Sequence, residues 1–156
     1  SRGLGDVYKR QTLVCAVARS DMAIIGNIGD SRAYHITPEG IFQISRDHSV
    51  VENMVAKGDL TPLEARTHPN RNLITRALGP DIHAKADTFE LPWHKDEFLL
   101  LCSDGLVNTV SDQEMLFEVL HDGDVNECLD HLLQISLQRG APDNITAVLL
   151  LNEEGR

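Results

Sequence analysis

From Thr12 onward, short apolar runs alternate with turn-forming clusters. TLVCAVA stops at Arg19-Ser20-Asp21, and MAIIGNIGD runs to Asp30. SRAYHI ends at Thr37-Pro38-Glu39-Gly40, and IFQIS sets Phe42 and Ile44 against polar neighbours. Short runs joined by tight turns predict an antiparallel meander. The period then changes. SVVENMVAKG puts Val50, Val51, Met54 and Val55 on one helical face, with Ser49 as N-cap, Glu52 three residues later and Gly58 at the stop. Thr61-Pro62-Leu63-Glu64 repeats the start signal with proline at the first helical position. The polar loop THPNRN leads into LITRALG, so a helical, loop-rich insertion is expected as a flap over one edge of the sheets.

Strands resume with AKADTFELP and, after a hairpin turn at Trp93-His94-Lys95-Asp96, with EFLLLCSDG. FLLLC is continuously apolar, which predicts a strand buried on both faces. Two helices follow. Ser111 to His121 opens on a Ser-x-x-Glu box (Ser111, Glu114). Asp124 to about Arg139 spaces Val125, Cys128, Leu129, Leu132, Leu133 and Ser136 helically and stops at Gly140. Asp122-Gly123-Asp124 reads as the turn between these helices, Pro142 blocks continuation, and NITAVLLLN is the last strand. No βαβ alternation runs through this order, which argues against a doubly wound sheet. An α+β class is expected, with one sheet packed on another and the helix pair covering one outer face.

Composition narrows the function classes. The 156 residues, 42% hydrophobic and 24% charged, suit one soluble domain with a real core. Fourteen basic and 24 acidic residues give a formal charge of −10, which disfavours nucleic acid or an anionic membrane as partner. Cys15, Cys102 and Cys128 are far apart, show no CxxC spacing and lie in apolar patterns, so they are expected as reduced core residues. No apolar stretch approaches the roughly 18 residues of a membrane span, and no leader-like segment opens the chain. A cytoplasmic protein is expected. The first eleven residues, SRGLGDVYKRQ, lack periodicity and look like a translated sequencing-adapter remnant; residues 1–11 are expected to be non-native or disordered, with 12–152 as the domain and 153–156 as a tail.

Three carboxylates stand where apolar runs meet turns: Asp30 in GNIGDSR, Asp104 in LLLCSDGL and Asp143 in GAPDNITAVLLL. A carboxylate at a strand end is held by rigid backbone yet faces solvent, which suits a hard cation. Each also has a plain structural reading. Asp30 could close a turn and pair with Arg32, Asp104 could cap a turn near Leu106, and Asp143 could form an Asx turn. Arg71 and Arg76 in the flap are candidate anion contacts, with solvated surface as the alternative. The seven histidines show no HxxxH or HExxH spacing and no nearby cysteine that would complete a zinc set; His48 is expected in a structural hydrogen-bonding role.

As an ordered set, GDSRAY, SRDHSVV, THPNRNLITRALG, LLLCSDGL and GAPDNITAVLLL resemble the metal-dependent serine/threonine protein phosphatases of the 2C type, most closely the bacterial single-domain kind. The resemblance spans nearly all of Thr12 to Asn152. It implies a four-layer α-β-β-α sandwich of two antiparallel sheets, with the metal site in a cleft at one edge of the sheets. It assigns Asp104 and Asp143 to a metal pair, and Asp30 with Asp104 to a weaker third site. Ser103, Gly105 and Asn144 become supporting residues, and the flap, about residues 50–76, would influence substrate choice. Magnesium or manganese, two or three ions in the complete site, is implied as cofactor, with metal-activated water attacking phosphoserine or phosphothreonine. No residue beyond the metal ligands is then needed for catalysis. The partners implied are phosphorylated proteins, a serine/threonine kinase and its targets, in bacterial signalling.

The same resemblance implies an earlier segment carrying a phosphate-binding arginine, an acidic residue and an Asp-Gly pair whose aspartate bridges the two metals. Nothing in SRGLGDVYKRQ supplies it; Gly5-Asp6 does not match. The sandwich is therefore expected to be incomplete, its N-terminal part missing, with exposed edges and apolar surface. Two functions follow. One is a protein serine/threonine phosphatase, weak or inactive as this chain stands. The other is a non-catalytic, phosphatase-like binding module with an incomplete metal centre. A kinase is excluded, since no glycine-rich phosphate loop with its lysine is present.

Overall fold

The computed structural model describes residues 11–79, 83–121, 124–141 and 143–154. The Gly5-Asp6 pair, the Asp122-Gly123 half of the helix–helix turn, Pro142 and the last two tail residues lie outside them. So do residues 1–10 of the expected remnant. Gln11, placed in that remnant, forms an antiparallel bridge with Leu78: its N–H donates to the Leu78 carbonyl (3.1 Å) and its carbonyl accepts from Leu78 N–H (2.8 Å).

Among the described residues seven strands make two antiparallel sheets, and α+β is the class. Strands β1 (Leu13–Ala18), β2 (Met22–Ile28) and β5 (Asp87–Pro92) form a three-stranded sheet in the order β1-β2-β5. Strands β3 (Arg32–Thr37), β4 (Gly40–Gln43), β6 (Phe98–Cys102) and β7 (Ala147–Leu151) form a four-stranded sheet in the order β4-β3-β6-β7. The expected meander is therefore two hairpins in different sheets. The chain crosses from one sheet to the other at Gly29–Ser31, so Asp30 sits at the crossing and not in a β2–β3 hairpin.

The hydrophobic pattern explains the layers. Strand β6 sends Leu100 and Cys102 toward the helices and Leu99 toward the other sheet, all fully buried, which accounts for its unbroken apolar run. On the helix side, Tyr34, Ile36, Leu100 and Cys102 meet Met115 and Val119 of α4 (Asp112–His121) and Cys128 and Leu132 of α5 (Val125–Gln138). Between the sheets, Ala23, Ile25, Ala33, Leu91 and Leu99 pack with Trp93. Trp93, expected in the hairpin turn, is a core residue; its indole N–H donates to the Arg19 carbonyl. Leu133, expected on the α5 stripe, is largely exposed, whereas Cys128, Leu132 and Ser136 are buried.

The outer face of the three-stranded sheet carries Leu13, Cys15, Val17, Met22 and Ile24, all exposed. Cys15 is therefore not a core cysteine. It lies on the face away from Ala23 and Ile25, and no described helix covers it. No helix among the described residues is long and apolar enough to cross a membrane.

The insertion contains α1 (Val50–Lys57) and α2 (Pro62–Thr67). Ser49 caps α1 by accepting from Glu52 N–H, Gly58 ends it at φ +82°, and Thr61 and Glu64 form the reciprocal box of α2. Neither helix has a fully buried residue. LITRALG is not helical. Ile74 bridges to Ser49 and Leu78 to Gln11, an extended leg stitched by tertiary pairing.

Candidate metal centre

Asp30 is placed by a turn with little freedom. Gly29 has φ +106°, and a Cβ there would lie 2.4 Å from the Thr12 methyl, so a side chain is excluded by both conformation and space. His48 holds the same residue from the other side. Its main-chain N–H donates to the Gly29 carbonyl (2.9 Å), and its Nδ1 accepts the Gly29 N–H (3.0 Å).

Asp104 begins the one-turn helix α3 (Asp104–Val107) directly after β6, and Asp143 precedes β7. Three neighbours bind these two loops together. Ser103 donates its N–H to the Thr146 carbonyl (2.9 Å), and its hydroxyl accepts the Thr146 N–H (3.0 Å) and donates to the Asn144 carbonyl (3.4 Å). Gly105 lies so close that an added Cβ would be 2.2 Å from the Asn144 carbonyl oxygen. Asn144 donates its N–H to Asp143 Oδ1 at 2.7 Å, an Asx-type contact that fixes the exposed carboxylate.

Asp30, Asp104 and Asp143 all line one cleft of about 950 Å³. Burial, then the Asp104 and Asp47 carboxylates, push the Asp30 carboxyl up to about 6. Asp104 is also raised, by burial first and Asp143 second, against the lowering effect of its own and Gly105's N–H groups. Asp104 is therefore the shared member, coupled to one carboxylate on each side. Among the described residues no three His, Cys, Asp or Glu side chains converge closely enough to hold a metal ion by themselves. The expected trio is two coupled pairs in one cleft, not a closed triad. The donor chemistry still fits a hard divalent cation: all donors are carboxylate oxygens, and Asp30 and Asp104 are raised by burial first and by neighbouring carboxylates second, both costs that a cation would offset.

Two further cleft residues, Arg32 and Asp47, pair in a way that the sequence does not predict. Arg32 does not pair with Asp30. It forks onto Asp47, with Nε 2.9 Å from Oδ1 and Nη2 2.8 Å from Oδ2. Its Nη1 donates to the Tyr34 hydroxyl (3.0 Å), which donates to Asp112 (3.2 Å). Asp47 lies within SRDHSVV, a signal that was on the page. Its pairing was not, because it depends on the β3–β4 register, in which Tyr34 faces Gln43 and the chain after β4 returns beside Arg32. Of the flap arginines, Arg71 lines the cleft, as does Arg66 on α2. Arg76 is engaged elsewhere, donating to Asp87 Oδ1 (2.9 Å) and the Lys85 carbonyl (3.2 Å).

A family model described as Protein phosphatase 2C matches residues 10–149. The serine/threonine phosphatase Stp of Listeria monocytogenes is 35% identical over 148 residues, covering 93% of this chain and 59% of that protein, so the chain spans about three fifths of the curated relatives' length. The crystal structure of serine/threonine phosphatase Stp1 from Staphylococcus aureus superposes with a TM-score of 0.86 at 40% identity, over 90% of this chain and 55% of that one. The catalytic domain of serine threonine protein phosphatase PstP in complex with two manganese ions gives 0.77 at 33% identity, over 88% and 56%.

Proposed function

The chain belongs to the protein phosphatase 2C family, and from that premise we propose that it carries one side of the metal centre of a protein serine/threonine phosphatase acting on phosphoserine and phosphothreonine. The observation that carries this reading is Asp104, half-buried between Asp143 and Asp30 at the meeting of the two sheets, with its protonation raised by burial and by its neighbour. Arg32 does not neutralise the group, because Asp47 holds it.

In this reading Asp104 and Asp143 hold magnesium or manganese together, and Asp30 with Asp104 holds a weaker ion. PstP, complexed with two manganese ions, supports the choice of metal. Bound there, such ions lower the pKa of a coordinated water toward neutrality and offset charge on the phosphoryl oxygens. The chain's own residues do the positioning. Gly105 and Ser103 keep the two loops in backbone contact, so Asp104 and Asp143 face one volume. Arg66 and Arg71 stand on the flap side of the cleft, where a phosphoryl group on a protein substrate meets positive charge. Phosphorylated proteins, and through them an opposing kinase, are the partners this chemistry implies.

A second reading, metal binding without turnover, is favoured by the lack of a three-ligand cluster among the described residues. A further bridging aspartate, as the family resemblance implies, would complete the centre. Both readings are tested on this chain by following manganese binding with electron paramagnetic resonance and p-nitrophenyl phosphate hydrolysis with manganese or chelator. We expect saturable binding that Asp104→Asn removes, with weak, chelator-sensitive turnover. Binding with no turnover selects the second reading. Hydrolysis indifferent to chelator and to both Asp104→Asn and Asp143→Asn overturns the first.

A further inference from the structure

His48 is only 6% exposed and does not line the cleft, yet both ring nitrogens make directed bonds. Because Nδ1 accepts the Gly29 N–H, the proton of the neutral ring resides on Nε2, which donates to Asp87 Oδ2 at 2.7 Å. The other oxygen of Asp87 receives Arg76 Nη1. The main chain of His48 repeats the pattern. Its N–H goes to Gly29, and its carbonyl accepts the N–H of Thr75, beside Arg76 on the extended leg of the flap. One residue thus grips the turn that carries Asp30, 19 positions away, and the first residue of β5, 39 positions away, while its carbonyl holds the flap leg at Thr75.

We infer that His48 is the positioning residue through which the flap leg sets the place of Asp30 at the cleft, the imidazole holding the Gly29 N–H on one side and Asp87, with Arg76, on the other. This rests on the metal reading of Asp30. Gly29 has no side chain to fix its own peptide, and its conformation is one that a few substates share. The direction in which Asp30 leaves the turn therefore depends on what satisfies the Gly29 N–H. A buried ring that merely filled space would leave its nitrogens to any neighbour. Here Nδ1 holds the turn that carries Asp30 into the cleft, and Nε2 ties that turn to Asp87 and, through it, to Arg76, as outer-shell groups do around metal ligands.

The two arms can be cut separately. His48→Asn keeps an acceptor near the Nδ1 position but falls short of Asp87. His48→Gln keeps reach to Asp87 but gives up the Nδ1 acceptor. Asp87→Asn, at a half-exposed site, weakens the distal arm with little risk to folding. Manganese affinity and thermal midpoint are measured for each variant of this chain. We expect His48→Gln to weaken manganese binding about tenfold or more, within the range for lost outer-shell partners. His48→Asn and Asp87→Asn should weaken it only a few-fold, although the thermal midpoints of the two His48 variants fall alike. Affinities within twofold of the unaltered chain for His48→Gln, or losses that follow the thermal midpoint in all variants, overturn the inference. Absence of manganese binding in the unaltered chain would instead strike the metal reading, and this inference with it.

Discussion

The two sheets have similar apolar content and different surroundings. In the four-stranded sheet, β6 is buried on both sides, by the helix pair on one face and the other sheet on the opposite face. In the three-stranded sheet, Ile25 is fully buried while its neighbour Ile24 is 42% exposed, and Val17 on the same outer face is 66% exposed. TLVCAVA and MAIIGNI are largely apolar runs, as FLLLC is, yet the described residues cover only one of their faces. Burial is decided by which layer stands on each face, not by the strand's own hydrophobicity. The site inherits this asymmetry. Asp104 and Asp143 come from the well-covered sheet and Asp30 from the end of the half-covered one.

Two adjacent truncations should show the largest difference between the covered and uncovered faces. Ile25→Ala removes a fully buried side chain and should cost about 2–5 kcal/mol, whereas Ile24→Ala should cost less than about 1 kcal/mol. Denaturant unfolding measures both. Equal losses would mean that the outer face is covered in solution.

Gly105→Ala attacks the well-covered sheet where it forms the site. Its Cβ would meet the Asn144 main-chain carbonyl oxygen at 2.2 Å, a group that cannot swing aside like a side chain, so the two loops must separate. A destabilisation of about 1–3 kcal/mol, the usual range for overpacking, should accompany loss of manganese binding. Gly58→Ala is the converse case: Gly58 is left-handed (φ +82°) with nothing within 4 Å of its Cβ position, so it strains the backbone without a clash, whereas Gly105, helical in α3, meets the clash without that strain. If Gly105→Ala bound manganese normally, close loop contact would not be what aligns Asp104 with Asp143.

How far the sequence was readable follows the same division. The capping boxes at Thr61 and Ser111, the double burial of FLLLC and the turns bearing Asp30, Asp104 and Asp143 depend on neighbours within a few residues, and they could be read locally. The crossing between sheets could not. Gly29–Ser31 is as short as a hairpin loop, but contacts from Thr12 and His48 hold it and β3 pairs with β4 and β6 instead of β2. LITRALG has helix-compatible spacing, but pairing of Ile74 with Ser49 and Leu78 with Gln11 overrides it. The Arg32–Asp47 fork and the diversion of Arg76 to Asp87 are likewise long-range. Pattern locates a residue on an element; partners across elements are set by packing.

The three thiols report on the same two faces with a smaller effect. Cys15 is exposed on the outer face, while Cys102 is buried under the helices, its thiol pushed up to about 12 chiefly by that burial. Since the thiolate is the reactive form, one thiol of the folded chain should react with Ellman's reagent at pH 8, and three after denaturation. No reaction before denaturation would again point to a covered outer face. Rapid reaction of more than one would mean that the helix cover opens.

That cover is pinned by an exposed clamp, and its pH dependence should be the smallest effect of all. Glu114 near the start of α4 accepts the Ser111 N–H at 2.9 Å and both Arg139 donors, and Arg139 at the end of α5 also reaches the Thr109 carbonyl (2.7 Å). The Arg139 hydrogen bonds, followed by those of Ser111, hold the Glu114 carboxyl down to about 2. A carboxyl whose folded pKa is depressed contributes stability that is present above its ordinary value near 4.5 and lost as pH falls toward 2. Both partners are more than a third exposed, so solvent screening keeps the contribution small. Glu114→Gln should therefore lower the thermal midpoint slightly at pH 7 and change it least near pH 2, where about half of the native carboxyl is protonated and nearly all of its contribution is gone. A variant that lost as much at pH 2 as at pH 7 would show that the side chain matters to α4 by its shape and not by its charge. The helix pair would then be held on the four-stranded sheet by its buried stripe alone.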